Sequence, residues 1–133
     1  MQSDTVVEAT RQWLEKAVIG LNLCPFAKAV YVKNQVRIVV STAPHLDGLL
    51  EDLDRELVYL AEADPAECET TLLIHPGLLA DFNDFNDFMQ LAEAAVNEHD
   101  LEGIIQIASF HPQFQFADTE LMDLGNYTNR APY

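Results

Sequence analysis

The sequence predicts an α/β fold: a small three-stranded, parallel sheet with three main helices in the order α-β-α-β-α-β. Three short apolar or β-branched runs, at 36–40, 70–74 and 103–108, have strand length. Amphipathic stretches long enough for full helices separate them, which favours right-handed crossovers between parallel strands. The chain of 133 residues, 49% of them apolar, closes one hydrophobic core and is too short for two domains of ordinary size. Residues 1–133 are therefore read as a single domain. The alternative is a ferredoxin-like α+β sandwich with antiparallel pairing, because three strands do not fix sheet order and a helix precedes the first of them.

Thr5-x-x-Glu8 has the form of a capping box, and Val6, Ala9, Trp13, Ala17 and Leu21 recur at helical spacing, so a first helix is expected from Val6 to Gly20. Pro25 suits a first helical position, and a short helix toward Val30 would place Cys24 at its N-terminus. Val36–Val40 is β-branched except for Arg37 and reads as the first strand. Leu46, Leu49, Leu50, Leu53, Leu57, Leu60 and Ala61 share one helical face, which Asp64-Pro65 ends. Thr70–Ile74 is the second strand, and His75-Pro76-Gly77 breaks it. The next helix carries Phe82, Phe85, Met89, Ala92 and Val96 on one stripe down to His99. Gly103–Ala108, nearly all apolar, is expected as the third strand.

Asp and Glu number 22 against seven Lys and Arg, a formal net charge of −15. Such a surface repels phosphates, so nucleic acid and anionic membranes are not expected partners. No basic stretch leads into an apolar run and no apolar run reaches about 18 residues, so neither a signal peptide nor a membrane span is predicted and the expected location is cytoplasmic. Cys24 and Cys68 are too few for a disulfide scaffold and are expected as thiols. The sequence requires no cofactor, shows no metal-ligand spacing, and carries no signal for an oligomeric state.

His45, His75 and His111, three of the four histidines, each fall just past a predicted strand and directly beside a proline. In a parallel sheet those ends share one edge, where open α/β proteins place ligands and catalytic groups. His45 is read as an ordinary loop residue; His75 and His111 are candidate acid–base groups. Cys24 is a candidate nucleophile, since a helix N-terminus favours the thiolate. Acidic neighbours disfavour a thiolate at Cys68. Phe110, Phe114 and Phe116 surround His111 and can wall an apolar pocket. Asn129 and Arg130 are placed to hold an anionic group of a small molecule, Arg130 by a two-pronged hydrogen bond. The expected function is a small-molecule enzyme with a Cys/His site at the C-terminal edge of the sheet, performing hydrolysis or group transfer. The alternative is a non-catalytic module binding a metabolite or a protein.

Gly20-Leu21-Asn22-Leu23-Cys24-Pro25-Phe26-Ala27, His75-Pro76 with Asp81-Phe82, His111-Pro112-x-Phe114-x-Phe116 and Asn126-Tyr127-Thr128-Asn129-Arg130-Ala131-Pro132 occur in that order along nearly the whole chain. Together they resemble an uncharacterised bacterial family, the domain of unknown function fourteen-fifteen. The resemblance implies no established activity. It does imply a further C-terminal helical portion that this chain lacks, and its motifs include Cys24, His75, His111, Asn129 and Arg130.

Overall fold

A computed structural model of the chain describes residues 3–19, 31–33, 35–115, 119 and 129–133. The first helix, α1, spans Ser3–Trp13, with Asp4 in its first turn, where a carboxylate suits the positive end of the helix dipole. It begins earlier than the expected capping box, so Thr5 and Glu8 lie inside it. From Leu14 to Ile19 the helix widens to π geometry, which keeps Leu14 and Val18 buried together. The short helix expected from Pro25 toward Val30 lies outside the described residues. Beyond it, Tyr31 donates from its hydroxyl to Glu15 Oε1 at 2.6 Å.

Strand β1 is Val36–Val40, helix α2 Leu46–Glu62, strand β2 Thr70–Ile74 and helix α3 Phe82–Glu98. β1 and β2 pair in parallel, Val36 beside Thr70 through Val40 beside Ile74, with α2 as their crossover. Arg37, the charge that interrupts the first apolar run, has a partner on that crossover. Its guanidinium donates to both carboxylate oxygens of the buried Glu56 at 2.7 and 3.4 Å and lies over the Tyr59 ring at 4.0 Å. α2 ends where Asp64-Pro65 was expected to end it, and the Asp64 carbonyl accepts from the amides of Glu67 and Cys68. Asp81 caps α3, its carboxylate accepting from the Asn83 and Asp84 amides. At the other end, His99 Nε2 meets Asp54 Oδ1 at 3.0 Å and ties α3 back to α2.

The core lies between α2 and α3 in two clusters. Leu57, Ala95, Val96 and Leu101 form one; Leu49, Phe88 and Ala92 form the other. Leu53 and Ile107 pack against both, and Leu73 of β2 packs against the second. The leucine face read from residues 46–61 is thus the face that α2 buries, although Leu46 itself is exposed.

The third strand is the point at which the expected fold fails. Among the described residues the sheet has two strands, not three, and no antiparallel pair of the ferredoxin-like kind is present. Asp100 and Gly103 take left-handed backbone conformations, φ 55° and 81°. They turn the chain so that the amides of Ile104 and Ile105 both return to the Leu101 carbonyl at 2.9 Å, and Ile104 points outward, 73% exposed. Past the turn, Ile105 and Ile107 still face the core while Gln106 and Ala108 are exposed. The segment keeps the side-chain alternation of a strand without the ladder. A chamber of about 290 Å³ is lined by Thr70–Ile74 and Ile105–Ala108 together with residues of α2 and α3.

In the first turn of α2, a Cβ built on Gly48 would sit 2.8 Å from the Cβ of Ala43. An alanine there gains about 1 kcal/mol of helix propensity but meets an atom fixed to the backbone. We expect Gly48→Ala to lower the unfolding free energy by about 1–2 kcal/mol in urea titrations, as overpacking does. Adding Ala43→Gly should recover most of that loss. A stabilised Gly48→Ala protein would show that the β1–α2 connection yields freely.

Candidate functional site

Past the end of β2, the segment 75–80 turns through His75-Pro76-Gly77 before α3 begins. His75 donates from Nδ1 to the Leu78 carbonyl at 3.1 Å, and its ring stacks on Phe85, centroids 5.5 Å apart. This bond fixes the proton on Nδ1 of the neutral ring and leaves Nε2 as an acceptor. Among the described residues no buried side-chain nitrogen or oxygen lacks a hydrogen-bond partner. His75 Nε2 has no such partner among the described residues, so it is not fully buried and solvent reaches it. Burial pushes the His75 imidazole below its ordinary value, outweighing the opposite effect of the Leu78 carbonyl; the neighbouring His111 pushes it the same way as burial.

His111 arrives from the loop that follows residue 108 and is 2% exposed. The Gln113 amide donates to its Nδ1 at 3.0 Å, which leaves Nε2 to carry the proton and donate to the Leu79 carbonyl at 2.9 Å. Both ring nitrogens are therefore engaged by main chain. Leu79, which supplies that carbonyl, has φ 60°, a left-handed conformation costly for leucine. The Phe82 and Phe85 rings lie 5.4 and 5.1 Å from the His111 ring, and Phe82 meets Phe114 edge-on at 5.2 Å. Phe85 thus touches both histidines and brings the two predicted acid–base residues together.

Asn129 and Arg130 fasten the same loop. The His111 amide donates to the Asn129 carbonyl at 3.0 Å, Asn129 Nδ2 to the Ser109 carbonyl at 2.9 Å, and Arg130 Nε to the Phe114 carbonyl at 2.9 Å. These contacts with main-chain carbonyls were not legible from the residue types, which suggested an anion clamp. Phe114 is buried, as a pocket wall would be. Cys24 and Phe116 lie outside the described residues. Cys68 is buried, its thiol 3.7 Å from the Thr70 carbonyl. His45 is exposed at the N-cap of α2 and makes no side-chain capping bond.

His75 and His111 border a cleft of about 170 Å³ together with Leu78, Leu79, Gln113 and Tyr133. His75, Pro132 and Tyr133 also border the 290 Å³ chamber beside β2. Sequence reading missed Leu79 and Tyr133. A positive φ at leucine leaves no trace in residue type, and nothing in the pattern placed Tyr133 near a strand end. Among the described residues no three His, Cys, Asp or Glu side chains converge to hold a metal ion, and no helix is long and apolar enough to cross a membrane.

No curated protein and no solved structure matches the chain. A family model described as Protein of unknown function (DUF1415) matches residues 5–133, which include the His75, His111 and Asn129-Arg130 segments that build this cleft. By that match over nearly its full length, the chain belongs to the DUF1415 family.

Proposed function

We propose that the protein acts on a small molecule at the cleft between residues 75–80 and 111–113, with His75 as the proton acceptor. The observation that carries this reading is the His75 ring itself: braced by Leu78 and Phe85, in the lining of the cleft, and with Nε2 left unpaired among the described residues. A general base needs an accessible lone pair and a ring that does not rotate away, and His75 has both. His111 is a positioning residue in this reading. Its bond to the Leu79 carbonyl ties the 75–80 segment to the 111–113 loop, and the Gln113 amide fixes the ring within that loop. Cys24 is the proposed nucleophile for hydrolysis or group transfer, its thiol proton passing to a base such as His75.

A second reading, a non-catalytic binding module, is favoured by the engagement of both His111 nitrogens, which leaves one open imidazole rather than two. The readings differ at Cys24. In protein carrying Cys68→Ser, the enzyme reading expects Cys24 alkylation to titrate well below the ordinary thiol value of about 8.5 and to shift in His75→Asn. An ordinary thiol indifferent to His75 would leave the binding module.

Diethyl pyrocarbonate, which acylates neutral accessible imidazole nitrogens, tests the assignment of His75 directly. Peptide mass spectrometry should find His75 modified at least tenfold faster than His111. Equal rates, or an inert His75, would overturn the reading.

Stability should report the same group. The folded-state value of His75 lies below its unfolded value of about 6.5, so in the window between them the unfolded chain binds a proton that the folded chain does not. Its contribution is fully present above about pH 6.5 and falls on acidification by up to about 1.4 kcal/mol per pH unit until the folded-state value is passed. In His75→Asn, whose Nδ2 can replace Nδ1 toward Leu78, urea titrations from pH 7.5 to 5 should show a shallower decline than wild type. Parallel declines would mean that His75 titrates normally.

A further inference from the structure

The chamber beside His75 is larger than the cleft and different in character. Trp13, Leu53, Phe88, Met89, Ile105 and Phe110 are among its walls, and His75 and Tyr133 stand at one side. Its volume of about 290 Å³ is roughly twice that of an engineered apolar cavity of about 150 Å³ that binds benzene. It can hold a bicyclic ring or an alkyl chain of about eight carbons. Three head groups can then be compared at His75. A carboxylate has no proton to offer Nε2, and it would approach a protein of net charge −15 past the Glu56 carboxylate on the chamber wall. An ammonium gains from that charge but must give up its water against apolar walls, while Glu56 is already bonded to Arg37. A hydroxyl can donate to Nε2 without either cost.

We propose that this chamber binds an uncharged amphipathic molecule, an apolar ring system or chain ending in a hydroxyl that donates to His75 Nε2. The proposal names the substrate class for the function proposed above and rests on the open His75 nitrogen of that reading. The apolar body lies between β2 and the 105–108 segment, and the polar end reaches the cleft that His75 shares with His111.

Trp13 is the only tryptophan in the chain and lines the chamber, so its emission reports occupancy. Primary alcohols from butanol to decanol, titrated into the full chain, should change that emission saturably. Affinity should rise about fourfold per methylene and level off near eight carbons, where the chamber is full. Octanoate and octylammonium should bind at least tenfold more weakly than octanol. His75→Asn should weaken octanol about tenfold, the worth of one hydrogen bond, while keeping the dependence on chain length.

No saturable change, or a rise that continues past decanol, would overturn the chamber as a binding site. Saturable binding that ignores His75→Asn, or that favours octanoate, would overturn the assignment of the head group. A reactive His75 toward diethyl pyrocarbonate with no alcohol binding would remove this inference and leave the proposed function in place. Alcohol binding with an inert His75 would overturn both the proposed function and the head-group assignment, leaving the chamber as an apolar binding site alone.

Discussion

The structure around the site depends on one buried imidazole. His111 lies almost wholly out of water, with an amide donating to one nitrogen and a carbonyl accepting from the other. A buried polar group left without a partner costs about 1–3 kcal/mol, so the ring is stable there only while Leu79 and Gln113 keep their places. The dependence runs in both directions. Leu79 sits at φ 60°, a conformation that leucine holds only when its surroundings over-determine it, and the bond from His111 is one such determinant. The Asn129 carbonyl fixes the His111 amide, and Asn129 and Arg130 hold the carbonyls of Ser109 and Phe114. Three stretches far apart in sequence meet at this ring: the β2–α3 connection, the loop after residue 108 and residues 129–130.

That arrangement explains how a two-stranded sheet can present a site. Two parallel strands are marginal by themselves, and here the α2–α3 pair supplies the buried clusters while β2 contributes Leu73 at their margin. The left-handed turn at Asp100 and Gly103 sends residues 104–108 past the helices, where Ile105 and Ile107 pack on the clusters. The missing ladder follows from that turn.

The helices were legible because burial alone sets their pattern. The leucines of 46–61 and the aromatic stripe of 82–96 lie at 3.6-residue spacing, and the tertiary contacts use those faces. β1 and β2 were legible in place, length and parallel sense because the crossover between them has room for one helix. The run 103–108 misled because alternation in sequence reports which side chains are buried, and the segment buries Ile105 and Ile107 as a strand would without making a strand's hydrogen bonds. At the candidate site, residue type singled out His75 and His111 as candidates but not the difference between their surroundings. Which nitrogen is open depends on the carbonyls of Leu78 and Leu79 and the amide of Gln113, and main-chain groups have no signature in side-chain chemistry. Asn129 and Arg130 were read as anion holders, and their contacts with the Ser109 and Phe114 carbonyls were not foreseen, because an amide and a guanidinium suggest a ligand's anion as readily as a loop's carbonyl.

The size of the chamber argues that it is more than a packing fault. Empty apolar volume in a protein interior costs about 24 cal/mol per Å³, which makes the 290 Å³ space worth up to about 7 kcal/mol if it were closed and dry. Domains of this size are stable by only about 5–15 kcal/mol. Partial opening to water reduces the cost but exposes the apolar walls, so the empty chamber is unfavourable in either state. A space that is costly to keep, with His75 in its lining, is what the proposed binding site would need, because an occupant would offset that cost. Occupancy would then add stability that grows with ligand concentration relative to its Kd, through lining residues from β2, the 105–108 segment and the helices.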